Sequence, residues 1–249
     1  MTAPGSDPLI IDSHVLYLDC GNSRCKFRLG AHSGVWLEID EALAAIDQWS
    51  PERTMIATVS AFGARLHAAL QRIGRHPISL VAVRNGWHNV GLNYPEPSQF
   101  GVDRWLTLVA ARPWQQSVVI VDAGTALTID ALDARGFHQG GYILPGLALM
   151  RRALVNDTFA LPDVGPGQNL LPGHNTADAI ANGAILALAS SVTAAVRQYG
   201  LNPFRLVWTG GDAALLAEHT EPDGVIIPEL VIDGMKRLYK DAAYMESLA

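Results

Sequence analysis

The sequence contains little cysteine and little charge. Only two cysteines, Cys20 and Cys25, occur among its 249 residues, and charged residues make up 17% of the total. The five-residue spacing of the two thiols matches neither a zinc-binding pair nor a redox Cys-x-x-Cys motif. We therefore expect reduced thiols that fill small positions. The hydrophobic share of 49% is typical of a well-packed soluble protein.

Several motifs of common enzyme classes are missing from the sequence. None of the eight histidines lies in a His-Glu-x-x-His metal motif. The sequence also has no Gly-x-Ser-x-Gly nucleophile elbow and no Walker-type phosphate loop. These absences remove several common classes of metal-dependent hydrolase, serine hydrolase and P-loop enzyme.

Features that would direct the chain to nucleic acid or membrane are missing too. The formal net charge is −6 without an offsetting basic run, which argues against a nucleic-acid-binding surface. The longest apolar stretch, residues 184–196, is shorter than the roughly 20 residues that span a bilayer. The first residues lack the regions of a signal peptide. We expect a flexible leader at residues 1–13 and a cytoplasmic protein with no membrane partner.

Two short segments of the sequence share one pattern. Residues 18–23 and 121–126 each run from an apolar strand into an aspartate, a spacer, a glycine and small polar residues, and each then returns along a second strand. Glycine at such a turn lets backbone N–H groups approach phosphate oxygens, while the carboxylates, Asp19 and Asp122, recruit cations. The pair of facing hairpins predicts a nucleoside triphosphate as the ligand.

The order of predicted elements indicates two similar α/β halves. Each half has a three-stranded meander, with the third strand of the first half at 35–39, followed by helices and further strands. We therefore predict two tandem domains, 14–116 and 117–249, with a cleft between them. Residues 84–100 lack periodicity and predict a binding loop. An apolar helix at 176–199 could be core or could line a subunit interface, and the last helix is expected from about Asp233.

Several motifs occur together in one order along the chain. They are residues 19–26, Tyr94 with residues 101–104, residues 122–126, residues 140–146, Asn175 with Thr176, Gly183, and residues 209–212. In this order they resemble the motifs of the type III pantothenate kinases, which belong to the acetate and sugar kinase, chaperone ATPase and actin superfamily. The resemblance covers the chain from about Tyr17 to its end.

The resemblance implies a fold and a reaction. The fold is two tandem ribonuclease-H-like domains of the actin-like ATPase kind. The reaction is transfer of the γ-phosphoryl group of ATP to the primary hydroxyl of pantothenate, the first step of coenzyme A biosynthesis. It also implies Mg²⁺, a monovalent cation (K⁺ or NH₄⁺), and a homodimer in which Thr176 reaches pantothenate from the neighbouring subunit.

The nucleotide site that the resemblance implies consists of two hairpins and a glycine turn. Its residues are Asp19, Cys20, Gly21, Asn22, Ser23, Arg24, Cys25, Lys26, Thr125, Gly210 and Gly211. Asp19 would also hold Mg²⁺, through water because this ion loses its hydration shell reluctantly, and Asp122 would hold the monovalent cation. The first of the two hairpin motifs, taken alone, also fits an ordinary hairpin in which Asp19 caps the turn and Lys26 is a solvated charge. Residues 209–211 alone also fit a plain strand-to-helix turn.

The acceptor site that the resemblance implies centres on Asp103, the candidate general base. Its residues are Tyr94, Gly101, Val102, Asp103, Arg104 and Thr176. Arg104 could bind either the carboxylate of pantothenate or a phosphate. Alternatives remain for single residues: Asp103 could be a helix N-cap, Tyr94 could be packing, and Asn175 with Thr176 could be an N-cap.

Two other functions are compatible with the same fold. Relatives of this family have been described as accessory factors for virulence-gene transcription, although the acidic net charge argues against direct DNA contact. A related kinase of the superfamily with another small acceptor is the second alternative, because fewer residues specify the acceptor than the nucleotide.

Overall fold

The computed structural model describes residues 12–22, 24–157, 164–167 and 169–248. Most of the predicted leader and the ATP-binding candidate Ser23 therefore lie outside the described residues. The strands are β1 (Val15–Cys20), β2 (Cys25–Leu29), β3 (His32–Trp36), β4 (Arg53–Thr58), β5 (Ile78–Leu80), β6 (Ser117–Ala123), β7 (Ala126–Leu132), β8 (His138–Pro145), β9 (Phe204–Thr209) and β10 (Val225–Ile226). The helices are α1 (Ile39–Trp49), α2 (Ala61–Ile73), α3 (Val102–Ala111), α4 (Leu147–Asp157), α5 (Thr176–Tyr199), α6 (Ala213–Ala217), α7 (Leu230–Tyr239) and α8 (Ala242–Glu246).

The chain forms two compact units. The first comprises the described residues up to Val90, Tyr94–Trp114 and the described residues from Leu230 onward, and the second comprises Gly91–Asn93 and Gln115–Glu229. The predicted second domain, 117–249, is therefore wrong at its C-terminal end. Helix α7 packs against α3 of the first unit instead. The two helices are so close that a Cβ atom at Gly234 would clash with the backbone of Leu106.

The first unit is built on a five-stranded sheet with the order β3-β2-β1-β4-β5. β1, β2 and β3 form an antiparallel meander, whereas β4 is parallel to β1 and β5 is parallel to β4. β1 is central and buried on both faces, as an unbroken apolar run predicts. Helix α2 begins where the Ser60 side chain accepts a hydrogen bond from the N–H of Gly63, and it ends at Gly74 with a φ of 64°, a left-handed cap that favours glycine.

The second unit repeats the same sheet order with β8-β7-β6-β9-β10. The pairing senses repeat as well, with an antiparallel β6-β7-β8 meander and parallel β9 and β10. Helix α5 begins at Asn175, whose side chain accepts a hydrogen bond from the N–H of Asp178, and it ends at Gly200. By length and composition α5 could cross a membrane, but Ile185, Leu188 and Val192 pack into the core of this unit.

Most predicted elements agree with the structure, and the misses have local causes. Helix α5 has the predicted bounds. The third strand is His32–Trp36 rather than 35–39, because α1 already begins at Ile39. The last predicted helix begins at Leu230 rather than near Asp233, and α8 follows it.

Candidate functional site

The first hairpin presents an exposed tip beside a half-buried carboxylate. Gly21 donates a backbone hydrogen bond to the carbonyl of Arg24 at 3.0 Å, which closes the turn. Asn22 and Arg24 are exposed. The strand register sets Asp19 opposite Lys26, and directly opposed residues place their side chains on one face of the sheet. The side chains of Asp19 and Lys26 therefore emerge from the same face of the hairpin.

The two cysteines of this hairpin point into the core. Cys20 and Cys25 are opposite each other in the register, unbonded as a disulfide and buried, as the sequence predicts. A hydrogen bond with the Cys20 thiol and burial raise the pKa of the Cys25 thiol. The carbonyl of Cys20 accepts hydrogen bonds from Thr58 Oγ1 at 3.1 Å and Ser60 Oγ at 3.0 Å. Any ligand contact by these cysteines would thus come from their backbone.

The second hairpin brings Asp122 and Gly210 together. Gly124 donates a backbone hydrogen bond to the carbonyl of Ala126 at 3.0 Å. Gly210 follows β9, which is parallel to β6, and has a φ of 93°. A Cβ atom there would lie only 2.6 Å from Asp122 Oδ1 and closer still to the carbonyl of Ala123. Glycine is thus required at position 210 both for its conformation and for space.

A third glycine, Gly146, packs against the backbone of the β6–β7 turn. Gly146 donates its N–H to the carbonyl of Thr125 at 2.9 Å, and a Cβ atom at this position would clash with the carbonyl oxygens of Gly124 and Thr125. Gly211 is exposed, and Asp212 N–H donates to the carbonyl of Ala123 at 3.0 Å. In this unit, the predicted residues at the β6–β7 turn and after β9 therefore lie together.

The acceptor candidates of the first unit form a cluster around a buried guanidinium group. Arg104 is 5% exposed, and its Nη1 donates to the Tyr94 hydroxyl at 3.2 Å. Its Cζ atom lies 4.5 Å from the centroid of the Phe100 ring. The rings of Tyr94 and Phe100 meet edge to face at 4.9 Å. We call Tyr94, Phe100 and Arg104 the acceptor cluster. Phe100 was not among the predicted site residues, although its place directly before Gly101 could have suggested it.

Asp103 lies in the first turn of α3 but does not cap it. The N-cap of α3 is Gly101, and no side chain makes a capping hydrogen bond there. Asp103 Oδ1 accepts a hydrogen bond from the backbone N–H of Arg104 at 2.8 Å. A Cβ atom at Gly101 would lie 2.5 Å from that oxygen. The N-cap alternative for Asp103 is therefore wrong, and the small size of Gly101 leaves room for its half-buried carboxylate.

Thr176 is placed by a separate capping arrangement in the second unit. It is the exposed first residue of α5. Asn175 is the N-cap: its Oδ1 accepts from the N–H of Asp178 at 2.9 Å, and its Nδ2 donates to the Asp178 carboxylate at 2.7 Å. The capping alternative thus holds for Asn175, while the side chain of Thr176 is left facing solvent.

Comparisons with known proteins identify sequence relatives along most of the chain. A sequence model of the family called type III pantothenate kinase matches residues 15–198. A type III pantothenate kinase of Laribacter hongkongensis is 37% identical, with 90% of this chain and 98% of that protein aligned. One of Acinetobacter baylyi is 33% identical, with 89% of this chain and 96% of that protein aligned.

Two solved structures share the fold. A Baf family transcriptional activator from Campylobacter jejuni has a TM-score of 0.65 and 22% identity, and the match covers 92% of this chain and 98% of that one. A 2-dehydro-3-deoxygalactonokinase from Sinorhizobium meliloti has a TM-score of 0.57 and 16% identity, with 92% and 99% covered. Together with the repeated sheet order, this confirms the predicted α/β fold of two tandem ribonuclease-H-like domains.

The sequence relatives, unlike the distant structures, are similar enough to show the family. They align with nine-tenths of the chain, and the family model spans both hairpins and the acceptor cluster. The chain therefore belongs to the type III pantothenate kinase family of enzymes, as the resemblance predicted.

Proposed function

We propose that this chain transfers the γ-phosphoryl group of ATP to the primary hydroxyl of pantothenate, the first step of coenzyme A biosynthesis, with Asp103 as the general base. The observation that carries the proposal is that the half-buried Asp103 carboxylate and the buried Arg104 side chain both lie against Gly101, where a Cβ atom would be 2.5 Å from Asp103 Oδ1 and 3.6 Å from Arg104 Cδ. A carboxylate can accept the hydroxyl proton while a guanidinium holds an anionic acceptor. Family membership supports the acceptor's identity.

Arg104 is arranged for recognition of an anion before any ligand arrives. Its guanidinium packs on Phe100 and is held by the Tyr94 hydroxyl, so little side-chain freedom remains to be lost on binding. The forked donors of arginine match a carboxylate in two parallel hydrogen bonds. We assign Arg104 to the pantothenate carboxylate, with Tyr94 beside the pantoyl portion and the backbone at Gly101 and Val102 completing the pocket.

The nucleotide would be bound by the two hairpins. The backbone N–H of Asn22 and the side chains of Arg24, Lys26 and Thr125 face the phosphates in this proposal. Gly21 lets the turn approach them closely, and Gly210 with Gly211 leave space for the adenosine. Phosphoryl transfer needs chiefly positioning and neutralisation of charge, which these groups supply. Convergence of both hairpins on one triphosphate in a cleft stays a prediction.

The donor atoms fit the proposed cations. Within the described residues no group of three or more His, Cys, Asp or Glu side chains could hold a metal. A single oxygen donor such as Asp19 fits Mg²⁺, which keeps several waters and binds substrate phosphates rather than a cage of protein ligands. Mg²⁺ would neutralise charge on the phosphates when bound. Asp122, close to the Gly210 turn, is the proposed oxygen ligand of K⁺ or NH₄⁺.

A homodimer is the proposed assembly, because Thr176 and part of α5 are exposed. Leu186 of α5 is 50% exposed and Ile143 of β8 is 63% exposed, and exposed apolar side chains on neighbouring elements favour an interface. Thr176 of the neighbouring subunit would then complete the acceptor site. We further propose a cytoplasmic location with no membrane partner, and no nucleic-acid partner because the net charge is −6.

The decisive experiment compares two aspartates that occupy the first turn of a helix. Asp103→Asn keeps an acceptor for the Arg104 N–H but cannot take a proton, so kcat should fall by about 10²–10⁴-fold. Asp40→Asn in the first turn of α1, where Asp40 is exposed, is the control and should leave the rate unchanged. The assay supplies pantothenate, Mg²⁺, K⁺ and ATP, and phosphorylated pantothenate is detected by mass spectrometry.

Two outcomes would favour the alternatives. Wild-type protein that leaves pantothenate untouched but phosphorylates another small hydroxy acid would indicate a related kinase. Sequence-specific retention of DNA at physiological salt without any kinase activity would indicate a transcription accessory factor. Among the contacts of the described residues, none favours one of these over the proposed reaction.

A further inference from the structure

The backbone that precedes the acceptor cluster has an unfavourable conformation. Residues 82–90 connect β5 to the stretch that leads to Tyr94, and three of them have positive φ: Gly86 at 80°, His88 at 52° and Asn89 at 55°. Residues other than glycine rarely adopt this region, and they persist there only where neighbouring structure holds them. Contacts with neighbouring residues must therefore hold the 82–90 segment in this conformation.

Two residues near the C-terminus, Asp241 and Tyr244, make these contacts. The Tyr244 hydroxyl donates to the carbonyl of Ala82 at 2.7 Å and accepts from the N–H of Ala82 at 3.1 Å. The Asp241 carboxylate accepts from Trp87 Nε1 at 2.9 Å. It also lies 3.2 Å from His88 Nε2, with an alignment too poor for a hydrogen bond. We call Asp241 and Tyr244 the C-terminal clasp.

Further contacts join the 82–90 segment to the C-terminal residues. Arg84 Nη2 donates to the carbonyl of Ser247 at 3.2 Å. The rings of Trp87 and Tyr244 meet edge to face at 5.5 Å. Asp241 also caps α8 by accepting from the N–H of Tyr244 at 3.1 Å, so the two residues of the clasp are fixed to each other. The clasp therefore holds both the start and the middle of the 82–90 segment.

The clasp reaches the catalytic helix as well. Tyr244 is fully buried, and its ring lies 6.0 Å from the ring of Trp105, the residue that follows Arg104 on α3. At the other end of the segment, Arg112 Nε, just beyond α3, donates to the carbonyl of Asn89 at 3.0 Å. The 82–90 segment is thus fastened between α8 and α3.

We propose that Asp241 and Tyr244 are positioning residues for the acceptor site, which act through the 82–90 segment and α3 on the acceptor cluster and so set the affinity for pantothenate. Tyr244 is fully buried and Asp241 holds the Trp87 indole, so that each orders the backbone that leads to Tyr94 and to Arg104. This inference rests on the proposed function, because it assigns the affected ligand as pantothenate.

The test separates positioning from general stability by comparing the two substrates. Tyr244→Phe keeps the ring between Trp87 and Trp105 but loses both hydrogen bonds to Ala82. Tyr239→Phe removes a hydroxyl from the adjacent helix α7 and is the matched control. For Tyr244→Phe we expect KM for pantothenate to rise roughly three- to tenfold, the range of one or two lost hydrogen bonds. KM for ATP should stay within about twofold of wild type, as should both constants of the control.

A second variant, Asp241→Asn, and a measurement of hydrogen exchange test the positioning role independently of the kinetics of Tyr244→Phe. Asp241→Asn should raise KM for pantothenate in the same direction, since a neutral amide is a weaker acceptor for Trp87. Hydrogen exchange followed by mass spectrometry should show faster exchange in the 82–90 segment of Tyr244→Phe than of Tyr239→Phe. All kinetics are measured well below the melting temperature of each variant.

The possible failures are distinguishable. If wild type phosphorylates pantothenate but both clasp variants change stability alone, or raise both KM values equally, the positioning role is overturned. If wild type leaves pantothenate untouched, the proposed function fails, and the acceptor effect fails with it. A selective rise in KM for pantothenate together with faster exchange in the 82–90 segment would support the proposal.

Discussion

Arg104 donates a hydrogen bond from Nη1 to the hydroxyl of Tyr94 at 3.2 Å while its guanidinium lies against the ring of Phe100. Both contacts fix the direction in which the guanidinium group of Arg104 points. The proposed role of Arg104 in binding the pantothenate carboxylate can therefore be tested by changing the ligand as well as the protein.

Arg104→Lys should weaken selection for a carboxylate. Wild type should prefer pantothenate over an analogue whose carboxylate is replaced by a neutral amide by about tenfold or more in kcat/KM, because a buried guanidinium would lose its anionic partner. Lysine cannot form the fork, so the variant should show little preference. Steady-state kinetics with both acceptors check this. Equal losses on both acceptors would assign Arg104 to the phosphate instead.

Two glycines at tight contacts should give different kinetic defects when replaced by alanine. Gly234→Ala would push α7 against the backbone of Leu106 on α3, and Gly63→Ala would push α2 against Thr58 and Cys20. Each should cost about 1–3 kcal/mol of unfolding free energy, the usual cost of overpacking. Urea unfolding measures that loss.

The kinetic readout distinguishes the two glycine variants. Gly234→Ala disturbs the helix of Asp103 and should mainly lower kcat or raise KM for pantothenate. Gly63→Ala disturbs the strand that ends at the first hairpin and should mainly raise KM for ATP. The same pattern in both variants would contradict the separate placement of acceptor and nucleotide groups.

Asp241 should stabilise the fold in a pH-dependent way. The hydrogen bond from the Tyr244 N–H, together with the Trp87 indole and nearby His88, holds the pKa of Asp241 below its usual range. A lowered pKa means that the stabilisation is present above the unfolded value of about 3.9 and is lost as the pH falls through the folded value. Asp241→Asn should thus lower the free energy of unfolding at pH 7, by less than about 1 kcal/mol because solvent screens this partly exposed carboxylate, and the difference from wild type should shrink in acid. Urea unfolding across pH tests this; a constant difference would show that the charge contributes nothing.

The two turn aspartates should differ in the cation that they influence. Asp122→Asn should raise the concentration of K⁺ or NH₄⁺ needed for half-maximal rate, whereas Asp19→Asn should raise that of Mg²⁺, because a charged oxygen is lost from each proposed site. Each variant is the control of the other in titrations of both ions. An unchanged K⁺ requirement in Asp122→Asn would refute its assignment.

Leu186→Glu should break the proposed homodimer. A carboxylate on this exposed position of α5 would have to be buried without a partner in an apolar interface, which is costly. Leu37→Glu is the control, because Leu37 is 64% exposed in the first unit. Light scattering should show a shift to monomer for Leu186→Glu alone, together with loss of activity if Thr176 acts in the neighbouring subunit. A monomeric wild type would refute the assembly.

Local patterns predicted much of the fold, including the two hairpins that follow Asp19 and Asp122. The apolar runs before Asp19 and Asp122 become central strands, and helix α5 has the bounds expected from the sequence, with Asn175 as its N-cap. Such features depend on residues close in the sequence, so periodicity and capping suffice to find them. Phe100 escaped notice because its contact with Arg104 is made by the folding of a loop without periodicity.

What the sequence by itself determined is the alternation of strands and helices, the repeated hairpin and the family, because each is written in residues that are adjacent or in one fixed order. Only the tertiary structure decided that residues 230–248 belong to the first unit and that Asp241 and Tyr244 hold a segment some 160 residues earlier. Those contacts arise when apolar faces of α3, α7 and α8 exclude water together, and no local pattern specifies which faces will meet.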